Sequence, residues 1–297
     1  MSANDKIIYN KSSSLRWGWE PEWFDADDFD EELVEKVKEF QEEYSLDADG
    51  LVGPMTFRRL ATHRAFESFE DESYIVCNGN PVSIDWDKVV VWTESDGLTT
   101  KHGNYRQHRG PRDPSMLVVH WDVCLNSKTC ARILNKRGIS IHFCIDNDGT
   151  IYQLLDTQHI AWHAGNRAVN HVAIGVEISN AYYMKYQEYY ERRGFGSRPV
   201  VENAVVHGTT LKPHLGFYPV QIEALKALSK TLNEAHDIPL DCPVDEGGNM
   251  INKVYSPAAS ADFTGVVHHY HLTNRKIDCA GVDLVEILED VKGKETN

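Results

Sequence analysis

Two rhythms of apolar residues run along the chain, and the change between them falls near residue 116. In the first stretch, Leu33, Val34, Val37, Phe40 and Tyr44 recur at helical spacing, which predicts an amphipathic helix. The segment LDADGLVGP behind it is rich in Asp and Gly and predicts a turn. Thr56 to Leu60, after Pro54, predict a second short helix, so residues 28 to 62 read as a small helical module. Ahead of it Tyr9, Trp17, Trp19 and Trp23 follow no clear period. Residues 1 to 24 are therefore expected to be an arm that packs on something. Between 66 and 115, NGNPVSIDWDKVVVW holds a Gly-Asn turn and a short strand, and ESDGLTTKHGNYRQHRGPRDP is polar and rich in Gly and Pro. That region is expected to be a linker that wraps the next domain.

From 116 onward strands and helices intermix. MLVVHWD is short, β-branched and continuously apolar, which predicts a buried strand. TCARILNKRG predicts a helix ended by Gly138. SIHFCIDNDGTIYQLL predicts two strands around an Asn-Asp-Gly turn, and HVAIGVEISN another strand. YPVQIEALKALSKTLNEAHDI places Ile222, Leu225, Leu228 and Leu232 on one face of a long helix. FTGVVHHY predicts a last strand and GVDLVEILEDVKG a last helix. This mixture predicts an α/β domain of two or three layers over residues 116–297. Residues 182–218 are rich in aromatics but weakly periodic, and are expected to be an insertion near a site, capping its groove.

Composition narrows the possible partners. A formal net charge of −15 argues against nucleic acid and against docking on anionic lipid, both of which need clustered Lys and Arg. No run of apolar residues reaches the ~18 needed to span a bilayer. The first twenty residues lack an apolar h-region and a small-residue cleavage site, which predicts synthesis in the cytoplasm without a signal peptide. Six scattered cysteines form no C-x-x-C pair; Cys124 and Cys130 are close enough to bridge across a turn, but free thiols are the expectation.

The densest chemistry is HHYHLTNRKIDCAG, residues 268 to 281, with three histidines in four positions, then a lysine and an aspartate. His120 ends the first buried strand and His269 ends the last, so both can converge at one sheet edge. A lone strand-end histidine is more often structural than a ligand. Asp278 follows at a distance that a folded-back loop can span, and His, His and a carboxylate make a three-ligand zinc site with the fourth position left for water. Spacing alone leaves the structural and the ligating readings both open, and a one-residue shift would exchange His269 for His268. Glu177 is a carboxylate in an otherwise apolar strand and needs a reason to be there.

The segments LVVHWD, SIHFCIDNDGTIYQLLD, AWHAGN, NHVAIGVEISN and VVHHYHLTNRKIDCAG resemble, in this order, the motifs of the type-2 N-acetylmuramoyl-L-alanine amidases, a family that shares its fold with the peptidoglycan recognition proteins. The resemblance implies a mixed central β-sheet flanked by helices, with a small N-terminal helical module. It implies one Zn2+ per chain held by His120, His269 and Asp278, with Glu177 as general acid/base and Lys276 stabilising the oxyanion. It further implies Trp162, His163 and Asn170 beside the substrate, and His142 near the zinc without ligating it. Val37, Phe40, Gln41, Leu46, Asp49, Gly50, Val52, Gly53, Pro54, Thr56 and Leu60 resemble the peptidoglycan-binding module found beside many wall hydrolases; the other reading of that stretch is a helical hairpin that shields the catalytic domain. The domains implied are a module with its arm over 1–65, the wrapping segment 66–115 and the amidase domain 116–297. The partner implied is peptidoglycan or a muropeptide, the state a monomer, and the role a phage endolysin reaching the wall from the host periplasmic side. A cytosolic muropeptide-recycling amidase and a non-catalytic recognition protein are the alternatives.

Overall fold

The computed structural model describes residues 1–44, 46–54, 56–57, 59–60 and 73–294, and the chain divides into two units, Met1–Asp71 and Glu72–Asn297.

In the first unit, residues 1–24 form no irregular arm. Ala3–Trp17 is a helix, begun by a capping box between Ser2 and Asp5 and ended by Gly18 in the left-handed region. Its missing hydrophobic period has a physical reason: the face it buries is polar, made of Asn10, Ser13 and Ser14. Asn10 donates to the Gly50 carbonyl at 3.0 Å and accepts from the Val52 amide at 2.9 Å, and the Ser13 hydroxyl donates to the Val52 carbonyl at 2.6 Å. The helix thus reads the backbone of the Asp-Gly turn. Gln41, on the helix Glu31–Glu43, holds the same turn from the other side by accepting from the Gly50 amide at 2.8 Å. Trp19, Leu33, Val37, Val52 and Leu60 form the core between these elements, and Trp19 is completely buried. Pro54, Thr56, Phe57, Arg59 and Leu60 are helical, as the pattern predicts.

The second unit is built on a six-stranded sheet in the order Gly265–His268, Met116–Trp121, Ala173–Ile178, Phe143–Ile145, Ile151–Gln153, Val89–Val91. Every neighbouring pair is parallel except the hairpin Phe143–Ile145 with Ile151–Gln153. This is the mixed sheet flanked by helices that the fold class requires. Alternation along the strand Met116–Trp121 sorts its side chains. Leu117, Val119 and Trp121 join the core beneath the helices Pro219–His236 and Leu284–Lys294, through Leu225, Leu228, Leu232, Leu284 and Leu288. Met116 and Val118 face the other way, against Val169 and Val267. His120 shares that second face, and there the parallel strands end in an open cleft. Among the described residues no helix is long and apolar enough to cross a membrane.

Residues 73–115, expected as a linker, are part of this unit. The hairpin Tyr74–Cys77 and Asn80–Ser83 buries Ile75 and Cys77 in the main core, and Val89–Val91 is the edge strand of the sheet. The insertion 182–218 contains the helix Gln187–Arg192 and two short strand pairs, and it folds around one buried cation. Arg198 lies over the rings of Tyr190 and Tyr218 at 4.3 and 4.4 Å, and donates to the carbonyls of Ser179 at 2.7 Å and Gly216 at 2.8 Å and to Asn147. The expectation that this segment caps the groove is not met: none of the cleft's lining residues comes from it. Its apolar residues Val206 and Phe217 are absorbed by the core instead; it backs the cleft wall where Tyr182 and His214 pack on Trp121 at 5.1 and 5.4 Å and where His207 Nε2 meets the Lys276 carbonyl at 2.9 Å.

Candidate metal centre

Sheet register places the chemistry in one row. Glu177 pairs with His120 on one side and with Cys144 on the other, so the three side chains leave the same face side by side. On the outer strand His268 pairs with Val119, so His269 comes one step further along, level with His120, as the chain turns into the 3-10 segment His269–His271. The loop that follows brings Asp278 back to the same point.

There His120 Nδ1 lies 2.9 Å from His269 Nδ1 and 3.3 Å from Asp278 Oδ2, and His269 Nδ1 lies 2.9 Å from the same oxygen. All three side chains are buried. Burial, then the neighbouring His269, pulls His120 down to about 4, so the ring is neutral and its nitrogen lone pair is available. Burial alone would push Asp278 up, but the hydrogen bonds from His120 and His269 outweigh it and hold the carboxyl well below the usual carboxylate range. Two imidazole nitrogens and one buried carboxylate oxygen, converging on one point, are a donor set for a small divalent cation. Tetrahedral ligands at ~2.0–2.1 Å from zinc stand roughly 3.3 Å apart, close to the separations found here.

Around this triad is a cleft of about 720 Å3 that also contains Glu177, Lys276, Trp162, His163 and Asn170. Glu177 Oε2 is buried without a hydrogen-bond partner among the described residues. Desolvation, then the charges of Asp122 and Asp278, push its carboxyl well above the ordinary value, while Lys276 pulls the other way. Trp162 stands partly exposed on the rim, its amide held by the Ser140 hydroxyl at 2.8 Å. His163 and Asn170, expected at the substrate, are both engaged by the protein. His163 Nδ1 lies 3.0 Å from His120 Nε2, behind the triad. The Asn170 side-chain oxygen accepts from the amides of His163 at 3.3 Å and Ala164 at 2.9 Å, fixing the turn that carries His163.

The remaining histidines have separate tasks. His142 Nδ1 accepts from the Gly175 amide at 3.1 Å, so its Nε2 proton goes to the His159 carbonyl at 3.0 Å. Both ring nitrogens are thus engaged by backbone, and the ring braces the strand that carries Glu177. His268 points to the opposite side of the strand from the triad, with Nε2 3.0 Å from the Val282 carbonyl. His271 Nδ1 accepts from the His268 amide at 3.0 Å and its Nε2 meets the Ile251 carbonyl, which pins the turn after the strand.

Two features escape the sequence patterns. Gly175, two residues before Glu177, has no room for a side chain: a Cβ there would lie 2.5 Å from Ile141 Cδ1 and 2.7 Å from the His163 ring. Asp122, two residues after His120, accepts from the amides of Cys124 at 2.8 Å and Asn180 at 3.0 Å, and burial pushes its carboxyl up to about 7. Nothing marks either in the sequence except proximity to Glu177 and His120. Cys124 and Cys130 are free, buried thiols.

The parallel strands of a mixed sheet thus end on a His-His-Asp cluster that could hold a cation, beside a glutamate with one buried, unpaired oxygen. The family profile described as N-acetylmuramoyl-L-alanine amidase matches residues 110–279, more than half of the 297 residues, and the chain belongs to that family. A second profile, described as a putative peptidoglycan binding domain, matches residues 16–60. No curated protein matches the chain. Among solved structures, the chain is similar to the N-acetylmuramoyl-L-alanine amidase LysC from Clostridium intestinale, at 20% identity over 71% of this chain and 99% of that one, with a TM-score of 0.38. It is also similar to the Ph2119 endolysin of a Thermus scotoductus bacteriophage, at 16% identity over 69% and 99% of the two chains, with a TM-score of 0.39. A third is AmpDh3 from Pseudomonas aeruginosa in complex with an anhydromuramic pentapeptide, at 21% identity over 66% of each chain, with a TM-score of 0.39.

Proposed function

We propose that this protein hydrolyses the amide between N-acetylmuramic acid and L-alanine in peptidoglycan, that it uses one zinc ion held by His120, His269 and Asp278, and that it serves as a phage endolysin in cell lysis. The observation that carries the reading is the convergence of His120 Nδ1, His269 Nδ1 and Asp278 Oδ2 within 3.3 Å, with Glu177 in the neighbouring position of the same row. Zinc, when bound, supplies Lewis acidity toward the amide carbonyl and acidifies water. Glu177 takes the proton of the attacking water and delivers it to the leaving amine. Its unpartnered, desolvated oxygen suits a group that must exchange a proton rather than hold a salt bridge. Lys276, in the same cleft, stabilises the negative charge that develops on the carbonyl oxygen. His163 keeps the His120 ring in place by a hydrogen bond to the nitrogen turned away from the triad.

The peptidoglycan-binding match over 16–60 supports action on intact wall, and thus an endolysin over an enzyme that recycles small muropeptides. In this reading 1–65 binds the wall, and the protein works as a monomer on the wall of the host. The test is the release of new L-alanine amines from purified peptidoglycan. Activity should vanish with a chelator, return with zinc, and fall by about 10²- to 10⁴-fold in Glu177→Gln with zinc still bound. Binding to wall without amine release by the zinc-loaded protein would overturn the proposal in favour of a recognition protein.

A further inference from the structure

A second group of metal-ligating side chains gathers beside the row of His120 and Glu177 and shares no residue with the triad. Asp122 directly follows the strand Met116–Trp121. Val123 takes the left-handed region at φ 50°, and the chain turns so that the Cys124 thiol comes back to 3.2 Å from the Asp122 carbonyl. Cys130 enters from the helix Ser127–Arg137. The ligand atoms of Asp122, Cys124 and Cys130 all lie within 4.8 Å of one another. Tetrahedral zinc holds sulfur at ~2.3 Å and oxygen at ~2.0–2.2 Å, so its ligands stand roughly 3.4–3.8 Å apart, and a small inward movement closes the set. Asp122 also lines the metal cleft, which gives an ion its way in.

Buried cysteines commonly pack as small hydrophobes, and Cys124, Cys130 and Cys144 do join Ala131, Leu134, Ile141 and Leu154 in one apolar cluster. Packing does not account for the charge beside them. Asp122 accepts from the Ser179 hydroxyl at 3.1 Å, that hydroxyl meets the Ser127 hydroxyl at 3.1 Å, and the Ser127 amide donates to Asp146 at 3.3 Å. Two carboxylates are thus linked by one short polar chain. Among the described residues neither has a Lys, Arg or His within ion-pair distance. Carboxylates held away from water without a cation are costly. A divalent cation supplies the missing charge, and the two thiols select a soft one. We propose that Asp122, Cys124 and Cys130 form a second metal site, for a thiophilic divalent cation of the zinc class. Binding releases the two thiol protons to solvent and leaves thiolates on the metal. Cys144, on the strand Phe143–Ile145, stays outside the ligand set and hydrogen-bonds the Cys130 thiol from behind. When filled, the site ties the end of the strand that presents His120 to the helix Ser127–Arg137.

The test titrates metal-free, full-length protein, kept reduced by a phosphine, with Co2+ and then with Zn2+. Its readouts are metal stoichiometry, the sulfur-to-cobalt charge-transfer band and the thermal midpoint, so the outcome does not depend on wall hydrolysis. Wild type should bind two equivalents and show the band, which imidazole and carboxylate ligands do not give. Cys124→Ala and Cys130→Ala should each bind one equivalent and lose the band. His269→Ala should bind one equivalent, keep the band and still melt at a higher temperature with the ion than without it. Cys144→Ala should keep the band. If a cysteine variant fails to fold, the wild-type titration decides alone: a thiolate band that saturates at one equivalent supports the site even where the triad stays empty. No band from reduced wild type overturns the proposal, whether or not Cys124 and Cys130 bridge on later oxidation. A band that survives the loss of both cysteines overturns it too.

Discussion

His163 shows how much of a site can lie one residue behind the atoms that do its chemistry. It meets His120 through the ring nitrogen that does not face the triad, so it fixes both the tilt of His120 and the nitrogen left free for a cation. His163→Ala should weaken zinc binding by about 10- to 100-fold at constant pH, read by competition with a chromophoric chelator. His163→Gln, which keeps an acceptor, should recover part of that loss. Gly175→Ala should act on the same measurement, because its new Cβ would press on the His163 ring from below. An unchanged affinity in both variants would reduce His163 to packing. At this scale the sequence was informative where the chemistry demands a residue type. Two strand-end histidines, a carboxylate at loop distance and a glutamate in an apolar strand are legible because each is costly to bury without purpose. The choice between His268 and His269 was not, since alternation along a strand gives the two faces but not which one meets the cleft.

At the scale of elements, the insertion 182–218 turns on Arg198. Its guanidinium fills space between two tyrosine rings and satisfies the Ser179 and Gly216 carbonyls, which lie on the strand end and on the returning chain. Arg198→Ala strands the Gly216 carbonyl and leaves the Ser179 carbonyl only its bond from Gln221 at 3.0 Å; at about 1.5–3 kcal/mol for each lost bond to a charged group, a loss of about 3–6 kcal/mol is expected in denaturant unfolding. A loss below ~1 kcal/mol would mean that water replaces the arginine. Elements with an apolar signal were readable: the six-residue strand Met116–Trp121 follows from a short continuous apolar run and the long helix Pro219–His236 from helical spacing. Elements that bind through polar contacts were not. The helix Ala3–Trp17 buries Asn10, Ser13 and Ser14, so no hydrophobic stripe announces it. The edge strand Val89–Val91 is only three residues long and sits in a polar stretch, so its neighbours read as linker. Arg198 itself resembles any surface arginine until the fold closes around it.

For the whole molecule, the balance of buried histidines makes acid a stress. His236, at the end of the long helix, is buried with Nε2 2.8 Å from the Thr157 hydroxyl. Burial, with Arg112 adding to it, pulls this histidine from 6.5 down to about 4. An unfolded chain takes up that proton near 6.5, whereas the folded one resists until about 4. The contribution to stability is therefore complete above the unfolded value and is lost as pH falls through this window. In His236→Gln the fall in urea midpoint between pH 6.5 and 4 should be shallower than in wild type. An identical slope would show that His236 carries none of the acid sensitivity. The pairing of His120 with His269 has another consequence at this scale. The two residues are 149 positions apart, and their strands are neighbours only because the last strand of the sheet docks beside the first buried one. A nascent or refolding chain thus holds one of its three candidate ligands for most of its assembly, and closing so long a loop is slow. The triad is complete only with the final strand and the loop behind it, so a chain broken before residue 265 keeps His120 but has neither His269 nor Asp278.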